Sequence, residues 1–299
     1  MAVAYTLNGA TVLMIGGDAA YQARVTRSLD KINQTLAGQA LLNGIRANRM
    51  PPSPSMLTIH PGANECACLS PDSSVSRTLL AQALFDRPNT FPAELAACMA
   101  AAVPALDAAA AANLINAAPV YDIQGLPGNA PSHLGVTAAH VTAWLNGGAR
   151  FPLPFEGAQV SRLQRALLVA LWPQARNRPG TGGHSRVRWN AGSGSIGLTN
   201  GRRQVRSKSI GLAHELVHAY YNGCGLQMGR DNPLAGADNV PTVHDAALFE
   251  YMCVGLGVWS NEPVSENAIR SQWHMVVSRT LFPGGPPVRY GMTPARPCY

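Results

Sequence analysis

The spacing of apolar residues changes repeatedly along the chain, and each change predicts an element. Residues 3–16 (V-A-Y-T-L-N-G-A-T-V-L-M-I-G) are β-prone and stop at Gly16-Gly17-Asp18, predicting one or two strands. Val25, Leu29 and Ile32, then Leu36, Leu41, Leu42 and Ile45, recur at helical spacing and predict two helices over 18–47, hinged near Gly38. A Pro/Ser loop at 50–55 leads into a short strand at 56–60. From 75 to 150 alanine dominates, with Leu, Ile, Met and Val interspersed. This predicts packed helices interrupted at Pro92, Pro104, Pro119 and Pro127.

The second half of the chain is more varied. Residues 158–172 form a strongly amphipathic helical pattern, 173–183 a Pro/Gly/Arg loop, and 187–190 with 195–199 the strands of a hairpin. Helices are expected at 210–223, 243–254 and 265–281, with a Gly/Asn/Pro loop at 224–242 and a Pro/Gly-rich tail. These elements predict an α+β fold in which a small sheet packs on the 210–223 helix. The expected division is 1–75 and 151–299 as two parts of one domain, separated by a largely helical insertion at 76–150.

The 210–223 helix carries the candidate chemistry. It reads I-G-L-A-H-E-L-V-H-A-Y-Y-N-G, so His214, Glu215 and His218 spell H-E-x-x-H. Residues four apart lie on one helical face, which lets both imidazoles reach one zinc ion per chain while Glu215 addresses a water beside it. Ser207 or Ser209 is the expected N-cap, and Ile210, Ala213, Val217 and Tyr221 form the apolar stripe of a buried helix. A catalytic zinc needs a third protein ligand. Glu250 fits, because it shares a helical stripe with Val243, Ala247 and Val254, and an inward carboxylate requires a positive partner. The alternatives are an ion pair between Glu250 and an arginine such as Arg270, or His244 as the ligand. His244 or Asp245 can also orient a ligand imidazole. Glu215 is then the general base of a peptide hydrolysis, and Arg289 and Tyr290 are candidate donors to the oxyanion.

Composition narrows the class. The chain is 46% apolar and 13% charged, enough for a sizeable core, and no apolar run approaches the ~20 residues of a membrane helix. The N-terminus lacks the basic and apolar regions of a Sec signal. Six cysteines (66, 68, 98, 224, 253, 298) include no C-x-x-C pair and suggest free or buried thiols, with only Cys298 placed to tie down the tail. Gly192, Gly194 and Gly197 match a dinucleotide fingerprint but precede L-T-N-G-R-R rather than a helix, so they read as turn glycines.

H-E-L-V-H-A-Y-Y, then F-E-Y-M-C-V-G-L-G with Glu250 32 residues after His218, then N-E-P-V-S-E-N-A-I-R, resembles the NleD-like effector metallopeptidases of bacterial pathogens. The opening V-L-M-I-G-G-D-A-A-Y…L-D-K-I-N…G-Q-A-L-L-N-G-I is similar to that family too, so the resemblance covers roughly 10–60 and 185–290. It implies a zincin-like domain related to clostridial neurotoxin light chains, with His214, His218 and Glu250 as zinc ligands and Glu215 as the base. It also implies secretion without a Sec signal, delivery into the cytoplasm of a target or host cell, and cleavage of a protein there. A monomer with no membrane or nucleic-acid partner is expected.

Two other readings compete. Net charge is +7, and between Glu156 and Glu215 stand ten basic residues and no acidic one, a footprint that would suit a nucleic-acid-binding module. The run lacks interleaved aromatics and reads instead as a rim that recruits an acidic substrate segment, or equally as a plainly solvated basic face. A pseudoenzyme in which zinc only holds the fold is the third reading, against which the intact Glu215 speaks.

Overall fold

Asn8 and Gly9 both have positive φ, 50° and 77°, and this two-residue loop folds β1 (Val3–Leu7) back onto β2 (Ala10–Ile15). The computed structural model describes residues 1–48, 56–63, 66–69, 75–120, 130–131, 134–148, 158–192, 195–197, 203–228, 243–281 and 296. The architecture is α+β, with a small mixed sheet and many helices. In chain order β2 is followed by α1 (Ala19–Asn33), α2 (Leu36–Ala47), β3 (Thr58–Pro61) and β4 (Ala67–Leu69). Next come α3 (Leu79–Phe85), α4 (Phe91–Ala100), α5 (Ala108–Ala117), β5 (Pro119–Val120), β6 (Ala130–Pro131), α6 (Ala138–Leu145), α7 (Ala158–Ala170) and α8 (Trp172–Ala175). The chain continues through β7 (Arg186–Trp189), β8 (Ser195–Gly197), β9 (Arg203–Val205), α9 (Lys208–Gly223), α10 (Val243–Val254) and α11 (Glu266–Leu281).

Two compact units emerge. The first comprises Met1–Asp72, Gly182–Cys224 and Met252–Tyr299. Its sheet runs β1-β2-β3-β7-β4, antiparallel at both edges and parallel in the middle. Ile15, Ile59, Val187 and Cys68 stand in register across it, and all four are buried. In β7 the burial alternates strictly, with Val187 and Trp189 buried and Arg186 and Arg188 exposed, so the row marks the face turned to the core. Helix α9 packs on β7 and β4, with α1, α2 and α11 around it.

Small residues and side-chain hydrogen bonds fix α9 in place. Gly44 of α2 faces Tyr220, and a Cβ there would lie 2.4 Å from the ring, so only glycine permits the approach. The hydroxyl of Ser209 bonds that of Ser28 at 3.1 Å, Trp189 Nε1 donates to the Lys208 carbonyl at 3.2 Å, and the Tyr221 hydroxyl donates to the Val264 carbonyl at 2.9 Å. Gly197 ends β8, which pairs antiparallel with β9.

The second unit comprises Ser73–Thr181 and Gly225–Tyr251, so it takes in α7 as well as the Ala-rich stretch. Helices α3 to α8 pack on one another, with Phe91 edge-on to Trp144. Among the described residues, Arg77 pairs with Asp86 at 2.7 Å and Arg178 with Glu94 at 2.9 Å. Pro92 lies inside the first turn of α4, where a missing N–H costs nothing, and the helix passes through it.

Candidate metal centre and active site

Helix α9 is buried on nearly every side, from Ser209 through Ala219. It begins after Ser207, which makes no side-chain cap, so its position comes from tertiary packing. His214, Glu215 and His218 are 5%, 6% and 2% exposed. Their imidazoles meet edge to face, with ring centroids 4.6 Å apart. The Nε2 atoms of His214 and His218 converge to 3.1 Å.

The opposite edge of His214 explains that convergence. Its Nδ1 lies 2.7 Å from Oε2 of Glu266, the first residue of α11. A carboxylate only accepts, so Nδ1 carries the proton and Nε2 presents its lone pair to His218. Glu266 is 0% exposed and also receives Arg270 Nε at 2.6 Å, while Arg296 Nη1 stands 3.7 Å away. Burial pushes the Glu266 carboxyl up, but the His214 hydrogen bond and the charges of Arg270 and Arg296 outweigh it and hold the group well below the usual carboxylate range. Arg296 is fixed in turn by paired bonds between its backbone and the Asn267 amide, at 2.7 and 3.1 Å.

His214, His218 and Cys253 form the group of metal-capable side chains that the described residues bring together. The Nε2 lone pair of His214 lies 3.1 Å from Nε2 of His218, an approach that calls for a proton or a cation between the two nitrogens. Ligands about 2.0–2.1 Å from a tetrahedral zinc are separated by a similar distance, so the pair fits the ion. Cys253 stands differently. Its thiol donates to the His214 carbonyl at 3.2 Å and lies 3.4 Å from Nδ1, the edge turned away from Nε2.

The other expected site residues are less gathered. Glu250 lies on α10 and is half-buried, three residues before Cys253. His244 and Asp245 begin the same helix, but their side chains lie outside those described, as do Arg289 and Tyr290 entirely. Arg270, considered as a partner for Glu250, pairs with Glu266 instead. Glu266 was not among the expected site residues, although it stands inside N-E-P-V-S-E-N.

A family model described as an effector protein of the M91 peptidase type matches residues 10–276. The chain belongs to this M91 effector peptidase family. The match spans the Ala-rich middle as well as both flanking parts, and it supports the NleD-like resemblance read from the motifs. No curated protein and no solved structure matches the chain. Membership makes the centre on α9 the candidate active site of a peptidase. Among the described residues no helix is long and apolar enough to cross a membrane.

Proposed function

We propose that this M91 effector peptidase is a zinc-dependent metalloendopeptidase of zincin-like fold that cleaves a protein of the cell it is delivered into. One observation carries the reading: two imidazole Nε2 atoms converge at 3.1 Å, with a buried carboxylate locking the tautomer of the first. His214 and His218 would hold the ion. Glu250 is the proposed third ligand: it is half-buried on α10, and it stands in the F-E-Y-M-C-V-G-L-G segment, where the NleD-like resemblance places the carboxylate ligand. Zinc bound there would acidify a water and polarise a carbonyl.

The protein's own groups do the rest. Glu215, next to the first ligand and 6% exposed, takes the proton of the attacking water and returns it to the leaving amine. Glu266 holds His214 in one tautomer and one orientation, and Arg270 and Arg296 keep Glu266 ionised. Arg289 and Tyr290 are the proposed donors to the oxygen that gains charge. The test is proteomic. Target-cell lysate treated with the protein should yield new N-termini that disappear with Glu215→Gln; an identical set of termini from that variant would remove the reading.

A further inference from the structure

The structure has four buried arginines among its described residues: Arg77, Arg206, Arg270 and Arg296. Arg77 meets Asp86, and Arg270 and Arg296 face Glu266. Arg206 differs in pairing with no carboxylate among the described residues: it is 8% exposed, and its Nε and Nη1 lack hydrogen-bond partners there, whereas the unpartnered nitrogens of the other three belong to guanidiniums that already meet a carboxylate.

Its position is built by a glycine. A Cβ added at Gly211 would lie 3.2 Å from Nη2 and 3.3 Å from both Cζ and Nε of Arg206. Three near-equal distances mean that the guanidinium lies flat on the first turn of α9, with its N–H donors pointing along the helix surface. Gly211 precedes His214 by three residues and Glu215 by four, so all three share a face.

We infer that Arg206 is a carboxylate subsite of the active site, and that it takes an aspartate or glutamate side chain of the peptide substrate. The inference rests on the peptidase reading and adds a substrate class to it. A buried cation is costly without an opposite charge, and a neutral carbonyl would leave it uncompensated. The planar fork matches a carboxylate through two parallel hydrogen bonds. One helical turn is about 5.4 Å, and an extended peptide advances about 3.3 Å per residue. The acidic residue therefore falls one or two positions from the cleaved bond.

The experiment reads binding, so it does not depend on turnover. Zinc-loaded full-length protein carrying Glu215→Gln is immobilised and offered random octapeptides with acetylated N-termini and amidated C-termini, and the retained peptides are sequenced. Asp and Glu should be enriched about tenfold, the scale of one charge-assisted hydrogen bond. Adding Arg206→Met should abolish the enrichment, and Arg206→Lys should keep only part of it. The same selection is run with free C-termini, to separate a side-chain carboxylate from a chain end. No enrichment, equal enrichment with Arg206→Met, or retention confined to free C-termini overturns the inference. Melting temperature guards against a misfolded variant: Arg206→Met should melt at or above its parent, because it removes an uncompensated buried charge. A fall shared by Arg206→Met and Arg206→Lys marks a structural arginine and also overturns it. If retained acidic peptides bind through Arg206 but the unsubstituted protein cleaves none of them, the peptidase reading fails while the subsite stands.

Discussion

His214 and Glu266 are 52 residues apart in the chain, yet Nδ1 and Oε2 meet at 2.7 Å where α11 begins against α9. The bond sets which nitrogen of His214 is free, and so whether the H-E-x-x-H pair can share an ion. Glu266→Gln keeps the size and an acceptor but loses the charge. Zinc affinity should fall by about 10–100-fold, the range for losing a partner of a ligand histidine. The measurement is competition against a chelator of known affinity. Unchanged zinc affinity with a lowered melting temperature would mean that Glu266 serves only Arg270 and Arg296.

The third ligand is separable by zinc content. Glu250→Ala should lower zinc affinity by more than the roughly 100-fold upper range for an outer partner. Cys253→Ala and His244→Ala should retain most of the metal, because the Cys253 thiol addresses the Nδ1 edge and the carbonyl of His214 rather than Nε2. A large loss with Cys253→Ala would move the ligand role to sulfur.

Local signals in the sequence carried much of this structure. Asn8-Gly9 is a hairpin signal and produces the β1–β2 turn; the stripes at Val25, Leu29, Ile32 and at Leu41, Leu42, Ile45 become the buried faces of α1 and α2. His214 and His218 were legible because their relation is helical and local. Glu266 was not, because its meeting with His214 depends on how α11 docks, and nothing in the spacing of S-E-N encodes a contact 52 residues away. Arg206 was legible only as one member of a basic run. That its Nε and Nη1 find no hydrogen-bond partner among the described residues depends on tertiary packing, and the glycine that makes room for it reads as an ordinary helix residue. Pro92 was misleading as a helix breaker because proline in a first turn fits the helix it opens.

Gly44 offers a test of the packing that seats α9. In an exposed helix Gly→Ala gains about 1 kcal/mol. Here the added Cβ meets Tyr220 Cε2 at 2.4 Å, and overpacking of this kind costs about 1–3 kcal/mol. Gly44→Ala should therefore lower stability in urea unfolding rather than raise it. Tyr220→Ala in the same chain should restore the favourable sign of the alanine; additive effects of the two substitutions would show that the contact is not the cause.

Glu215 and His218 lie three residues apart on α9, and their replacements should fail in different ways. Glu215→Gln preserves shape and hydrogen bonding while removing basicity, and Glu215 is not among the proposed ligands. Its zinc content and melting temperature should stay close to those of the unsubstituted protein. Proteolysis should fall by at least about a hundredfold, the lower range for a positioned general base. His218→Ala removes one of the two converging Nε2 atoms. It should lose zinc, activity and part of the thermal stability together, because an ion that binds only the native state contributes to folding. Added zinc should therefore raise the melting temperature of the Glu215→Gln protein and leave that of His218→Ala nearly unchanged. If Glu215→Gln also loses zinc, Glu215 is a ligand, and the general base must be sought elsewhere on the same helical face.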